Sequence, residues 1–504
     1  MGSVLVVDFG SQYTHLIARR IRQLNVYSKV VEGTKASEED LDVDAVILSG
    51  GPSSVYDDNA PRNDEFLDML LERNIPTLGI CYGMHLLAHH MGGKISRGNK
   101  EYGISSINVS DDALFEGLDK RQKVWMSHGD SLEGVPENFS IIASSQRAPA
   151  ALKHDDKNIY ALQFHPEVNH TENGLVILEN FIKMFDVERD WNMDDFIVTS
   201  TADIKSAIGD EKAIMALSGG VDSSICAKLT ANAIGRNLYA VFVDHGLLRK
   251  GERQFVKDKF GGILNLKIID AKDRFFEKLK GVVDPEEKRM IIGNEFIKVF
   301  EEEAREIGAK YLVQGTIYPD VIESGSTKNA EVIKSHHNVG GLPETLDFDG
   351  LVEPLRELYK DEVRLMGKKL GMPDELVMQH PFPGPGLAVR ITGAVNDENI
   401  DIVREASSIL DEVLKEEGIY GDIWQSFAVL FDDRVVGVVG DQRKYGRFIG
   451  LRVVQSIDAM TANFVKLPWD VLERISTRIT NEIEDVVAVS YFVSHKPPQT
   501  IEPC

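Results

Sequence analysis

Cysteine is scarce in this chain, with three residues in 504. An odd and widely spaced set of that size cannot build a disulfide framework, and such scarcity fits a reducing compartment. Basic residues are also in deficit: Lys plus Arg number 56 against 80 Asp plus Glu, a net charge of −24. That balance argues against non-specific adhesion to nucleic acid or anionic lipid, where basic surface supplies the attraction. No uninterrupted apolar run approaches the roughly 20 residues a membrane-spanning helix requires. The first ten residues read as a short buried strand ending in glycine, without the basic region and long apolar stretch of a signal peptide. The expectation is a cytoplasmic protein with no nucleic-acid and no membrane partner. Any anionic ligand then has to be held by local cations, backbone N–H groups and metal.

What the chain does contain is a globular composition, 43% hydrophobic and 27% charged, at a length beyond one core. Short apolar, β-branched runs alternate with amphipathic stretches, the pattern of parallel α/β units. Residues 4–7, 45–48 and 77–80 read as strands, with helices over 11–24 and 84–90. A second series starts near 213–217, followed by a helix over 223–234 and a strand over 239–243. The polar stretch 186–195 separates the two series. Prolines and glycines alternate over 380–386, where no helix or central strand persists. Beyond it strands are expected at 427–430 and 435–439. The predicted fold class is α/β: two successive parallel-sheet α/β domains, 1–189 and 190–379, followed by a smaller α+β domain, 380–504.

Gly79-Ile80-Cys81-Tyr82-Gly83 follows a strand and precedes a helix, the nucleophile-elbow arrangement with Cys in place of Ser. Glycines flank the nucleophile because the turn is tight, and the positive end of the helix favours a thiolate. Downstream, Phe164-His165-Pro166-Glu167 offers a base and an orienting carboxylate two residues apart, a spacing that shares a face in extended chain. Upstream, Ser49-Gly50-Gly51-Pro52 ends another strand, where free N–H groups can stabilise an oxyanion. A lone buried cysteine is more often core, and Cys226, on an apolar helix face, reads that way. Together with Asp8-Phe9-Gly10-Ser11-Gln12-Tyr13 and Trp125-Met126-Ser127-His128-Gly129-Asp130, the three strings resemble a class I glutamine amidotransferase domain over about residues 3–185. The resemblance implies that Cys81 attacks the glutamine carboxamide, His165 shuttles the proton and Glu167 orients His165. Gly51 and Tyr82 would supply the oxyanion hole. His85 stands where the family usually has Gln; one helical turn from Cys81, it either contacts glutamine, perturbs the thiolate as a cation, or is a tolerated polar swap.

Ser218-Gly219-Gly220-Val221-Asp222-Ser223-Ser224 again joins a strand to a helix. Glycines let the backbone approach an anion, the helix N-terminus presents N–H donors, the three serines add hydroxyls, and Asp222 is suited to Mg2+. The Gly-Lys-Ser/Thr ending of a Walker loop is absent. The string is similar to the loop of ATP pyrophosphatases, which NAD synthetases, argininosuccinate synthetases and tRNA-modifying enzymes share. What separates these families lies further on. Val243-Asp244-His245-Gly246-Leu247-Leu248-Arg249 and Gln314-Gly315-Thr316 end later strands. Lys334-Ser335-His336-His337 and His380-Pro381-Phe382-Pro383-Gly384-Pro385-Gly386 follow.

These strings resemble the GMP synthetase family, and the resemblance extends over the whole chain. It implies ATP contacts at 218–224, Val243 and Gly315, and a lid carrying Lys334, His336 and His337. For the C-terminal domain it implies dimerisation and contacts to xanthosine monophosphate (XMP) from Arg390, Gln425, Lys496 and Glu502. Substrates would be XMP, ATP with Mg2+ at Asp222, and glutamine, with no tightly bound organic cofactor, in a homodimer. Three departures from the family pattern stand out: Gln379 where Arg is usual, Phe492 where Asp is usual, and a Pro503-Cys504 ending. A rival of another class is a nucleotide-sensing protein without catalysis, which the intact Cys81, His165 and Glu167 set argues against.

Overall fold

The structure is a computed structural model that describes residues 2–325, 348–456 and 461–503. The chain divides into two compact units, Met1–Asn192 and Met193–Cys504.

In the first unit nine strands form one sheet. They are β1 (Ser3–Asp8), β2 (Tyr27–Glu32), β3 (Ala45–Leu48), β4 (Thr77–Ile80) and β5 (Lys94–Val109), then β6 (Arg121–Gly134), β7 (Phe139–Ser144), β8 (Pro149–His154) and β9 (Ile159–Leu162). Their order is β2-β1-β3-β4-β9-β8-β7-β5-β6. The first five in that order are parallel and the rest antiparallel. Strands β3, β4 and β9 are buried along their whole length, as parallel strands covered on both faces must be. Leu5, Val7, Val46 and Leu48 share a core with Phe66, Leu67 and Leu70 of the helix Asp64–Arg73 and with Met84 and Leu87 of the helix Tyr82–His90. The antiparallel half was not foreseen as such. Along β6 burial alternates residue by residue, which is the mark of a strand with one wet face.

The second unit holds an all-parallel sheet of β10 (Ala213–Ala216), β11 (Leu238–Asp244), β12 (Asn265–Asp270), β13 (Tyr311–Val313) and β14 (Gly350–Val352). The order is β12-β11-β10-β13-β14, so the chain reverses its direction of winding at β10. Ligands of open α/β sheets sit outside the carboxyl ends of the strands at such a point. A second sheet follows, with β15 (Gln425–Val439), β16 (Gln442–Gln455), β17 (Asn463–Phe464) and β18 (Val486–Tyr491). β15 and β16 form an antiparallel hairpin closed by Gly440 and Asp441, at φ +55° and +64°. Two positive φ values are what a two-residue hairpin turn of the twist-matching kind demands. The two strands expected at 427–430 and 435–439 are one strand with a register shift between Phe431 and Arg434.

The boundary expected at 379/380 falls inside this unit. Leu387, Ala388 and Ile391, just past the proline–glycine stretch, belong to the same hydrophobic cluster as Ile214 and Val241 of the first sheet. That cluster continues to Val403 and Leu410 in the helix Asp397–Glu416 and to Ile475 in the helix Trp469–Glu482. Proline and glycine end the regular structure there, but not the core.

Candidate active sites

Strand β4 ends at Ile80 and the next helix starts at Tyr82, so Cys81 alone makes the turn, at φ +53° and ψ −102°. Such a conformation costs a non-glycine residue about 1–3 kcal/mol, and its neighbours hold it there. Cys81 N–H donates to Leu162 O at 2.7 Å, and Gly83 N–H donates to Ser49 O at 3.0 Å. A Cβ on Gly79 would lie 2.7 Å from Gly83 O, and one on Gly83 would lie 2.4 Å from Leu48 O. The two glycines are therefore required by close backbone approach. Cys81 Sγ lies 3.6 Å from Ser127 O.

His165 and Glu167 stand beyond the end of β9 in irregular chain, not in a strand as their spacing suggested. Their side chains meet all the same: His165 Nδ1 is 2.7 Å from Glu167 Oε1, and both residues are buried. Arg20 Nε donates to Glu167 O at 3.0 Å. The Tyr13 ring meets His165 edge-on at 5.1 Å. A Cβ on Gly50 would lie 3.1 Å from His165 Cε1 and 3.6 Å from Cys81 Cβ, so the loop after β3 touches both. Burial works against a charged His165, but the Glu167 carboxylate and the hydrogen bonds with Cys81 and Glu167 outweigh it. The imidazole pKa stands well above its ordinary value.

Cys81, Tyr82, His85 and His165 line a cavity of about 870 Å3 with Gly10–Tyr13, Gly51–Ser54 and Ser127–Asp130. Gly51 lines the cavity. The Tyr82 ring packs on Phe9 at 5.5 Å and beside Gly51, and its hydroxyl donates to Pro61 O at 2.8 Å. Burial pushes that phenol pKa up to about 12. The Tyr82 N–H opens a helix, where a first-turn donor has no acceptor of its own. His85 faces Gln163, Nε2 to Oε1 2.7 Å. Asp130 Oδ2 is buried in the same wall without a hydrogen-bond partner. Gln163 was missed by sequence reading; it stands in the bend that follows β9, two residues before His165.

The second site lies where β10 gives way to the helix Val221–Ile234, at the reversal point of the parallel sheet. Gly219 adopts φ +77°. Ser218 Oγ lies 2.8 Å from Ser223 Oγ, and Gly220 N–H donates to Ser218 Oγ at 3.3 Å. The helix carries no side-chain cap, which leaves its first-turn N–H groups to an anion. Gly315, past β13, packs on that turn: a Cβ there would lie 3.4 Å from the Asp222 backbone. Ser224 and Val243 are buried, the latter in the core. Asp222 Oδ1 is buried with no hydrogen-bond partner, and Oδ2 lies 3.8 Å from Lys360 Nζ.

Arg390, Gln425 and Glu502 meet. Arg390 donates to both Glu502 oxygens, at 3.2 and 3.0 Å, and Gln425 Nε2 donates to Glu502 Oε1 at 2.8 Å. Phe382 meets two guanidinium groups, Arg249 at 4.4 Å and Arg390 at 5.0 Å from its ring centre. Lys496 sits in the same tail, its main chain paired with Ala462. Lys334, His336 and His337 lie outside the described residues. Cys226 is core as expected, and burial pushes its thiol up to about 12. Among the described residues no three His, Cys, Asp or Glu side chains gather as a metal site, and no helix is long and apolar enough to cross a membrane.

The glutamine amidotransferase class-I family matches residues 5–184, and the GMP synthase C terminal domain family matches residues 412–503. A GMP synthase [glutamine-hydrolyzing] of Bacillus velezensis is 51% identical over 508 residues, covering 99% of this chain and 98% of that protein. One from Bacillus subtilis has the same identity and coverage. One from Aquifex aeolicus is 50% identical over 507 residues, covering 99% of each. Similarity of that depth over both units leaves one assignment: the chain belongs to the glutamine-hydrolysing GMP synthase family.

Proposed function

We propose that Cys81, His165 and Glu167 release ammonia from glutamine and that the second unit uses it to aminate XMP that ATP has adenylated. The overall reaction is XMP + ATP + glutamine + water → GMP + AMP + pyrophosphate + glutamate. The observation that carries this reading is Cys81, held at φ +53° on its turn, with His165 locked to Glu167 at 2.7 Å.

The Cys81 thiolate attacks the carboxamide carbon, and the developing oxyanion is met by main-chain N–H groups at Gly51 and Tyr82. His165 takes the thiol proton and delivers it to the departing ammonia; Glu167 keeps its Nδ1–H oriented throughout. Water then opens the thioester, giving glutamate. In the second unit the serine hydroxyls and helix N-terminus at 218–224 cradle the ATP phosphates. Asp222 fits the Mg2+ that accompanies ATP, because a buried carboxylate oxygen without a partner suits a cation. A lone carboxylate beside substrate phosphates is also how Mg2+ is ordinarily held. Bound there, the ion would supply positive charge against that of the leaving pyrophosphate. Adenylation makes the purine C2 oxygen a leaving group, so that ammonia displaces AMP. Arg390, Gln425, Lys496 and Glu502 hold XMP, and Lys334, His336 and His337 form the lid.

The catalytic unit is a cytoplasmic homodimer of chains with three functional parts, 1–189, 190–379 and 380–504, the last two packed on one shared core. Val436, Val438 and Tyr445, exposed on the C-terminal hairpin, supply apolar surface for the pairing. Sedimentation of the full chain tests it. For the chemistry, full-length protein with XMP, ATP, Mg2+ and glutamine should yield GMP. Cys81→Ala should abolish that yield while leaving synthesis from ammonium salt largely intact. Equal loss with both nitrogen sources would overturn the assignment of Cys81.

A further inference from the structure

His165 is anchored through its main chain by a group that no catalytic step uses. Its N–H donates to Trp125 O at 3.0 Å. The return bond of such a bridge passes through a side chain. Trp125 N–H donates to Thr171 Oγ1 at 3.0 Å, and Thr171 Oγ1 donates to His165 O at 2.6 Å. One hydroxyl is acceptor and donor at once between two peptide groups, and the residue is only 5% exposed. Thr171 is itself fixed, with its N–H donating to Val168 O at 3.1 Å and its carbonyl accepting from Gly174 N–H at 3.2 Å. Gly174 in turn presses on the chain beside the histidine, since a Cβ there would fall 1.8 Å from Pro166 O.

The other end of the bridge matters as much. Trp125 lies on β6, two residues before Ser127, whose carbonyl is the one 3.6 Å from Cys81 Sγ, and five before Asp130 in the cavity wall. A shift of His165 relative to β6 would displace the base from the pocket wall that β6 supplies and from the sulfur that lies against Ser127 O. We infer that Thr171 is a positioning residue for glutamine hydrolysis: its hydroxyl sets the register between His165 and β6, so base and pocket wall stay aligned. The inference rests on the proposed role of His165 as the proton carrier.

Thr171→Val keeps the shape and removes the hydroxyl, leaving a buried N–H and a buried carbonyl unpaired. Reactive geometry is sensitive at the scale of 1 Å, so kcat for glutamine hydrolysis should fall about 10- to 100-fold. KM for glutamine should stay near its wild-type value, and GMP synthesis from ammonium salt should be unchanged. Thr171→Ser, which restores the hydroxyl, should recover most of kcat. The pH profile of Cys81 alkylation by an electrophilic glutamine analogue should shift in the Val variant and not in the Ser variant. If Thr171→Val does not fold, as circular dichroism and thermal unfolding would reveal, Thr171→Ala removes the hydroxyl with less bulk and carries the same expectations. Wild-type kcat in the folded hydroxyl-free variant, or equal losses in the Val and Ser variants, would overturn the inference. His165→Ala separates the two layers: if it still hydrolyses glutamine at the wild-type rate, the role of His165 itself is wrong.

Discussion

His85 Nε2 and Gln163 Oε1 lie 2.7 Å apart in the wall of the cavity that opens on Cys81. Gln163 Oε1 can only accept, so Nε2 carries the proton and Nδ1 is left as an acceptor. Burial drives the His85 pKa down to about 4, against a smaller opposing effect of the Gln163 hydrogen bond. His85 is therefore neutral at physiological pH, which removes the cationic role that its place one turn from Cys81 had suggested. It serves the pocket as a hydrogen-bonding ring.

His85→Gln tests this twice. Alkylation of Cys81 by a glutamine analogue should give superimposable pH curves for wild type and variant from about pH 5.5 upward. Acid stability should differ. Between pH 6.5 and about 4 the unfolded His85 binds a proton that the folded one refuses, so stability falls as pH falls. The difference between 6.5 and about 4 corresponds to roughly 3 kcal/mol at the acid end. His85→Gln lacks that liability, and its acid-unfolding midpoint should lie at lower pH. A variant that reacts more slowly only below neutrality would restore the cationic role.

Asp222 offers a buried oxygen with no partner and a second oxygen 3.8 Å from Lys360 Nζ. Asp222→Asn preserves shape and hydrogen bonding but removes the charge that Mg2+ requires. Release of AMP and pyrophosphate should fall at least about 100-fold with either nitrogen source, since metal stabilisation supplies several kcal/mol. Basal glutamine hydrolysis should persist. Wild-type adenylation by the variant would exclude Asp222 as the metal-binding carboxylate.

Much of this architecture was legible in the sequence, for identifiable reasons. Strands 45–48 and 77–80 emerged with the expected bounds because fully buried parallel strands read as unbroken apolar runs. The long strand Lys94–Val109 did not, since its polar, glycine-interrupted residues carry no such run. Cys81 and the 218–224 loop stood out because a tight turn and an anion cradle impose local residue types. Gln163 and Thr171 did not, because their roles come from hydrogen bonds formed only when distant segments meet. Tyr82 shows another such case: its hydroxyl is tied to Pro61 O, a partner that only the folded chain brings near.

Gln379 departs from the family pattern and has a defined place here. With its amide oriented to suit its neighbours, Nε2 donates to Gly219 O at 3.2 Å and Oε1 accepts from Arg249 Nη1 at 2.5 Å. Arg249 is also held by His380 O at 2.7 Å and by the Phe382 ring. A neutral amide thus joins the 218–224 loop to a half-buried guanidinium. Gln379→Ala should raise KM for ATP about 10-fold, the worth of one hydrogen bond to a charged group. Glutamine hydrolysis should not change. An unaltered KM for ATP would mean the loop holds its shape without this link.

Arg452 sets a stability cost against the proposed role of the C-terminal tail in holding XMP. It is fully buried, and among the described residues no carboxylate is paired with it. Nη1 donates to Ser494 O at 2.6 Å and Nη2 to Thr500 O at 3.3 Å, while Nε has no hydrogen-bond partner. Phe492, standing where the family pattern has Asp, puts a ring 6.0 Å from the guanidinium and fills the space over Gly450, where a Cβ would fall 2.6 Å from that ring. The two carbonyls close both ends of segment 494–500, which carries Lys496 and leads to Glu502. A buried cation without a counter-charge is costly, so its retention points to the tail. Arg452→Met removes the charge at similar length, and the melting temperature should hold or rise. The same change unties the tail, and KM for XMP should increase about 10-fold or more, since hydrogen bonds to charged groups contribute about 1.5–3 kcal/mol each. Arg452→Lys keeps the charge but lacks the guanidinium fork that spans both carbonyls, so it should lose on both counts. Wild-type KM for XMP in Arg452→Met would show that the tail holds its form without the buried arginine. A lowered melting temperature in that variant would show that the two carbonyl bonds outweigh the cost of the buried charge.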